Sequence, residues 1–169
     1  SEYNIRRSEC EQALKIIQEQ YSEYIYLANV PEAIIKSFQE KMPEKIYSRA
    51  MYVSQENTRT LKGALLLEQG RIHDFGSLMY QTHQGLSEKY EVSLPELDFL
   101  VNMTKNITQV IGSRLMGGGF GGCTINLVKE TFVDEFINIA SVNFENKFNI
   151  KLTPLVVDIS NGVEIIKSA

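Results

Sequence analysis

The residues best placed to do chemistry lie in "SRLMGGGFGGCTINLV", positions 113 to 128. Gly117, Gly118, Gly119, Gly121 and Gly122 surround a single Phe120. Glycine loses more conformational freedom on folding than any other residue, so this density must serve a geometry that side chains would forbid. Gly117-x-Gly119-x-x-Gly122 formally satisfies the dinucleotide-binding fingerprint. That motif needs a helix directly after the glycines to face a pyrophosphate. Here the strand-like "CTINLV" follows, and no Gly-Lys-Ser/Thr completes a Walker loop. A plain hairpin turn needs one or two glycines, fewer than are present. Two readings remain: a loose glycine-rich turn, and a loop whose amides and bare Cα atoms approach an anion or a second active-site loop, since successive amides form an anion-binding concavity without a helix. The second names a site without naming a reaction.

Few other side chains compete for a role. Arg114 sits on the segment entering the glycine run and suits a structural or electrostatic task. Arg6 and Arg7 either face phosphate or mark a solvated helix start. His83 reads as structural, because a general base needs geometry before identity and no carboxylate stands at metal or triad spacing. His73 has no case beyond a helix surface. Cys123 reads as a small buried residue, with nothing nearby in sequence to lower its pKa. Cys10 and Cys123 form no CxxC or Cys/His pattern, so no metal site is expected and a reduced, cytoplasmic setting is.

The elements that must position these residues follow from periodicity. Ser8 with Glu11 has capping-box spacing, and Ala13, Ile16 and Ile17 share a face, which predicts a helix from about Glu9 to Gln20. Pro31 and Pro43 each stand just inside a helix start. After Pro43, Ile46, Ala50, Val53, Leu61, Ala64 and Leu65 keep helical spacing until Gly70 stops it. "RIHDFGSLMYQTHQGLSEKY" is a further helix with Ile72, Phe75, Met79 and Leu86 inward. Ser93 caps another that carries Pro95 in its first turn. "QVIGSRLM" and "CTINLV" predict two strands flanking the glycines, "LTPLVVDIS" a third and "GVEIIK" a fourth. Between them, Phe132, Val133, Phe136, Ile137, Ala140 and Phe144 line one helical face. Helices followed by strand, loop, strand, helix and strand predict an α+β domain, with several helices packed on a small, mainly antiparallel sheet.

At 169 residues the chain is long enough for one domain with a substantial core. A net charge of −4 argues against nucleic acid or an anionic membrane as partner. No apolar run approaches the length of a membrane span, and the polar, charged opening "SEYNIRRSECEQ" is no signal peptide.

Taken together, the segments resemble the C-terminal part of the galactokinase branch of the GHMP small-molecule kinases. "GSRLMGGGFGGCT" is similar to the third of that group's three motifs. "SEYNIRRSECEQA", "RAMYVSQENTRT" and "FGSLMYQTHQGLSEKYEVSLPELDFLV" occur in the family's order, and the likeness runs from Ser1 to about Ile166. The glycine motif alone indicates the broad group; "HQGLSEKYEVSLPELD" narrows it.

The resemblance implies ATP-dependent phosphorylation of the anomeric hydroxyl of galactose, with Mg²⁺. It also implies an N-terminal domain as partner, holding most of the ATP and Mg²⁺ contacts. The family's "GEHTDY", "GLSSSAA" and "GxxDQ" strings do not occur here, and Asp74, Asp98, Asp134 and Asp158 are not followed by Gln. No catalytic residue is therefore expected within residues 1–169, and the chain is expected to be inactive alone. Tyr3 matches the family tyrosine beside the sugar. Gly117, Gly118, Gly119, Phe120, Gly121 and Gly122 match the loop expected to close against the phosphate loop and sugar pocket, and Arg114 is a supporting candidate. "LMYQTHQGL" departs from the commoner family string, which leaves Gln81 and Thr82 without an assigned role. Kinases for a related sugar such as N-acetylgalactosamine, a non-catalytic sugar sensor and an autonomous anion-binding domain are the alternatives.

Overall fold

The computed structural model describes residues 1–159 and residue 162. Among them are six α-helices and one two-stranded antiparallel sheet. The helices are α1 (Glu2–Gln18), α2 (Glu32–Ser37), α3 (Glu44–Glu68), α4 (Ile72–Glu88), α5 (Pro95–Thr104) and α6 (Val133–Phe148). The strands are β1 (Val110–Met116) and β2 (Cys123–Val128). The predicted α+β class, helices on a small antiparallel sheet, is what forms.

Helix boundaries follow local chemistry. Pro31 and Pro43 stand at the N-caps of α2 and α3, and Pro95 opens α5, where a missing N–H costs nothing. Gly70, at φ +67°, ends α3 while the Arg71 N–H reaches back to the Leu66 carbonyl at 2.8 Å, the Schellman arrangement.

One hydrophobic core joins α1, α2 and α3 through Ala13, Ile17, Ile35, Phe38, Ile46 and Ala50. A second, formed by Val110, Phe136 and Ala140, lies between the sheet and α6. Phe99 of α5 and Phe144 and Phe148 of α6 add an aromatic cluster, with ring centroids 4.9–6.4 Å apart. Helix α4 bridges the two regions. It meets β1 backbone to backbone, since a Cβ on Gly76 would lie 2.0 Å from the Ile111 carbonyl oxygen. The pairing of β1 with β2 slips between Val110 and Gly112, which makes Ile111 the extra residue of a bulge.

Four sequence expectations are corrected. Helix α1 begins at Glu2, not Glu9, and Ser8 lies within it, accepting a 3.3 Å hydrogen bond from the Gln12 amide instead of capping. No Gly or Pro interrupts residues 1–8, and packing of Tyr3 and Arg6 on distant segments extends the helix. On α3, Leu61, Ala64 and Leu65 are exposed. The face that meets Phe75 and Leu78 of α4 runs through Gly63 and Leu66. Ser93 makes no capping bond, and Leu94 holds the N-cap of α5. Residues 152–159 form no strand, and Leu155 and Ile159 are 82% and 99% exposed. A short apolar run becomes a strand only beside a ladder partner, and none pairs with this one among the described residues. The "GVEIIK" strand lies, Gly162 apart, outside the described residues.

Candidate functional site

The glycine run is the six-residue tip of the β1–β2 hairpin, closed by the Met116–Cys123 pair. Its backbone has positive φ at Gly117 (+89°), Gly119 (+86°), Phe120 (+57°), Gly121 (+126°) and Gly122 (+93°). Glycine accepts such angles, and Phe120 stays there only because its surroundings hold it.

Those surroundings come from the same chain. The Phe120 N–H donates to the Val92 carbonyl at 2.7 Å, in the segment between α4 and α5. A Cβ on Gly119 would meet that oxygen at 2.3 Å, and one on Gly118 would meet the Tyr3 ring at 2.5 Å. The Tyr3 hydroxyl donates to the Gly119 carbonyl at 3.1 Å, and the Tyr3 and Phe120 rings meet edge to face, 5.4 Å apart. Gly118 and Gly119 are thus small because residues of this chain press on them. At Gly117 and Gly121 an added Cβ meets nothing within 4 Å, so that side of the hairpin presents bare backbone to open space.

Between the start of α1 and the hairpin lies a cleft of about 390 Å³, lined by Tyr3, Arg6, Tyr90, Val92, Gly118 and Phe120, with Arg7 also contributing. Three aromatic side chains beside backbone polar groups suit a ring with an apolar face and hydroxyls at its edge. The described lining has no carboxylate, imidazole or thiol, and burial pushes the Tyr90 hydroxyl well above its usual range. The cleft can bind and orient; it offers no group ready to take a proton at neutral pH.

The other sequence candidates separate. Arg6 is buried and neither solvated nor free for phosphate: Nε donates to the Tyr90 carbonyl at 2.7 Å and Nη2 to the Glu91 carbonyl at 2.8 Å. Its guanidinium carbon lies 5.5 Å from the Phe120 ring centre. Arg7 is exposed and pairs with Glu11 at 2.8 Å. Arg114, on β1, donates to the Leu115 carbonyl at 3.2 Å and does not line the cleft. Cys123 is exposed, not buried, because it starts β2 beside the hairpin tip.

His83 is structural, as expected. The Leu115 N–H donates to its Nδ1 at 3.1 Å, tying β1 to α4. Its Nε2 lies 3.1 Å from Asp98 Oδ1, at an angle outside that of a hydrogen bond. Burial lowers the His83 pKa, against the opposing pull of Asp98. Thr82 donates to Glu56 at 2.8 Å and links α4 to α3, whereas Gln81 is exposed.

Sequence reasoning missed Arg49, which is 1% exposed and bonds Glu9, Glu91 and the Lys89 carbonyl. A signal existed: Arg49 stands three residues after Ile46, inside the apolar stripe of α3, where a cation needs partners.

Residues 64–146, from late α3 through most of α6 and including the whole hairpin, match the family model described as "GHMP kinases C terminal". That segment is similar to the C-terminal domain of those kinases. Relatives of the chain are galactokinases. It is 39% identical over 163 residues to the galactokinase of Roseiflexus sp. (strain RS-1), covering 96% of this chain and 42% of the relative. With that of Clostridium acetobutylicum it shares 38% identity over 167 residues, 98% of this chain and 43% of the relative. Its fold superposes on the crystal structure of Lactococcus lactis galactokinase complexed with galactose with a TM-score of 0.84 at 29% identity, covering 89% of this chain and 39% of that one. The chain spans less than half the length of these relatives.

Proposed function

We propose that this chain is the C-terminal part of an ATP-dependent kinase that phosphorylates the anomeric hydroxyl of galactose, giving galactose 1-phosphate and ADP. One juxtaposition carries the reading. Tyr3, expected beside the sugar from the family resemblance, donates its hydroxyl to Gly119 in the hairpin expected to close against the phosphate loop. Sugar and phosphoryl contacts would thereby meet at one cleft. The names of the relatives favour galactose over N-acetylgalactosamine.

In this reading the Tyr3 ring covers the apolar face of the sugar, and the open side of the glycine hairpin admits close backbone approach from the N-terminal domain. That domain supplies the carboxylate, the phosphate loop and most contacts to ATP. Phosphoryl transfer depends mainly on positioning and charge neutralisation, so a part that only positions is a working part. Among the described residues no group of three or more His, Cys, Asp or Glu could hold a metal ion, so no step through Mg²⁺ is assigned to this chain. Among the described residues no helix is long and apolar enough to cross a membrane, and cytoplasmic residence belongs to the proposal.

Isothermal titration with galactose and with ATP–Mg²⁺, on this chain and on the full-length protein, tests the proposal. Silence from residues 1–169 with binding and turnover by the whole supports a site shared between two domains. Tight binding by residues 1–169 alone overturns the shared site. Binding by the whole without turnover makes it a sugar sensor.

A further inference from the structure

The segment between α4 and α5 is the floor on which the glycine hairpin rests. It contains Val92, whose carbonyl takes the Phe120 N–H and lies against Gly119. Residues 90–94 have no helix or strand of their own, and Glu91 stands at φ +50°, a conformation a glutamate keeps only when surrounding contacts over-determine it. Two arginines from other helices supply those contacts. Arg6 of α1 donates to the Tyr90 carbonyl at 2.7 Å and to the Glu91 carbonyl at 2.8 Å. Arg49 of α3 donates to the Lys89 carbonyl, to the Glu91 carboxylate at 2.6 Å and to Glu9 at 3.0 Å. Glu9 also accepts from Arg6 at 3.2 Å. Three consecutive carbonyls are thus held by two guanidiniums that share one carboxylate.

Buried ion pairs are often no more stabilising than apolar side chains of the same volume, so stability alone is a weak reason to bury Arg49. Direction is a better one. The planar fork of arginine reaches several acceptors at once, and here its acceptors belong to the hairpin's floor.

We propose that Arg49 is a positioning residue for the glycine hairpin. With Arg6 it fixes the carbonyls of residues 89–91, and through Val92 it sets where Phe120 and the open glycine backbone stand. As a statement about catalysis this rests on the kinase reading; as a statement about the hairpin it does not.

Arg49→Lys in the full-length protein tests it. Lysine preserves the charge balance with Glu9, Glu91 and Lys45, whose Nζ lies 3.8 and 3.6 Å from the two carboxylates. A single ammonium cannot span all the acceptors of the fork. Exchange of the Phe120 amide should quicken about tenfold, while that of Leu115, bonded to His83 in β1, changes less than about twofold. An unchanged Phe120, or equal acceleration at both amides, overturns the proposal. Glu91→Gln, at a half-exposed carboxylate, provides a second reading if Arg49→Lys does not fold. It should quicken Phe120 about threefold with Leu115 unmoved, and no change at Phe120 overturns the proposal.

The kinase consequence is a kcat for galactose phosphorylation lowered about tenfold in Arg49→Lys, with both KM values within about twofold. A wild-type kcat beside a loosened Phe120 overturns the catalytic half. A wild-type protein that phosphorylates no galactose overturns the kinase reading and leaves the exchange result standing.

Discussion

Tyr3, in the first turn of α1, and Gly119, in the hairpin tip, are 116 positions apart and joined by a 3.1 Å hydrogen bond from phenol to carbonyl. The bond ties the start of the chain to the candidate site. Tyr3→Phe keeps the ring against Gly118 and Phe120 and loses that bond, at a cost of about 1 kcal/mol in a urea melt. Tyr3→Ala removes the ring as well. In the full-length protein it should raise the galactose KM more than the ATP KM. Equal rises, by steady-state kinetics, would count against sugar contact.

Gly117 and Gly119 have nearly the same positive φ, +89° and +86°, but different surroundings. Gly117→Ala pays for the backbone conformation alone, since nothing lies within 4 Å of its Cβ. Gly119→Ala pays the same and also drives a methyl into the Val92 carbonyl at 2.3 Å. Its stability should fall below that of Gly117→Ala by about 1–3 kcal/mol, the usual range for an overpacked contact. Equal losses would show that the hairpin shifts freely off its floor.

His83 makes the fold sensitive to mild acid. Its Nδ1 accepts the Leu115 N–H and must be free of a proton to do so. Burial holds the folded pKa below the ordinary imidazole value of about 6.5. The unfolded chain therefore binds the proton first. The imidazole's contribution is fully present above pH 6.5 and is lost as pH falls through the folded pKa. Asp98, beside Nε2, moderates the effect, and Lys105 adds to it. The unfolding free energy from urea melts between pH 7 and pH 5 should fall with a slope of at most about 1.4 kcal/mol per pH unit for this one proton. Gln in place of His83 can still accept from Leu115, so His83→Gln should flatten the dependence over that range. A wild-type profile with the same slope in the variant would assign the acid sensitivity elsewhere.

The two thiols should differ under native conditions. Cys123 is exposed at the hairpin's edge. Cys10 is half-buried with its sulfur 3.5 Å from the Tyr90 hydroxyl, and burial pushes its pKa above the usual thiol range. A thiol-specific disulfide reagent should modify Cys123 in a fast phase and Cys10 far more slowly, with Cys123→Ser abolishing the fast phase. Two fast equivalents in the folded protein would mean that α1 does not stay docked on residues 89–91.

Much of the fold is legible residue by residue. Pro31, Pro43, Pro95 and Gly70 mark helix ends because they act on the backbone through their own φ angles, with no partner required. The two strands around the glycines follow from short apolar runs on either side of residues that only a turn accepts. The glycine run is legible as a loop of special geometry, and its contacts are not. Tyr3 and Val92, which press on Gly118 and Gly119, stand far from the hairpin in the chain.

The sequence alone determined that Pro31, Pro43 and Pro95 stand at helix starts, where the chain turns, that residues 117–122 form a special loop, and which kinase family supplies the likeness. Those properties reside in contiguous residues. Tertiary structure decided that Arg6 and Arg49 are buried clamps, that His83 holds β1, that Cys123 is exposed and that residues 152–159 form no strand. Each of these depends on what a side chain or backbone group meets after the chain folds. Arg49 lies 40 positions from both Glu9 and Lys89, and His83 lies 32 from Leu115. No local pattern encodes such meetings, because they arise only when packing brings α1, α3, α4 and the hairpin together.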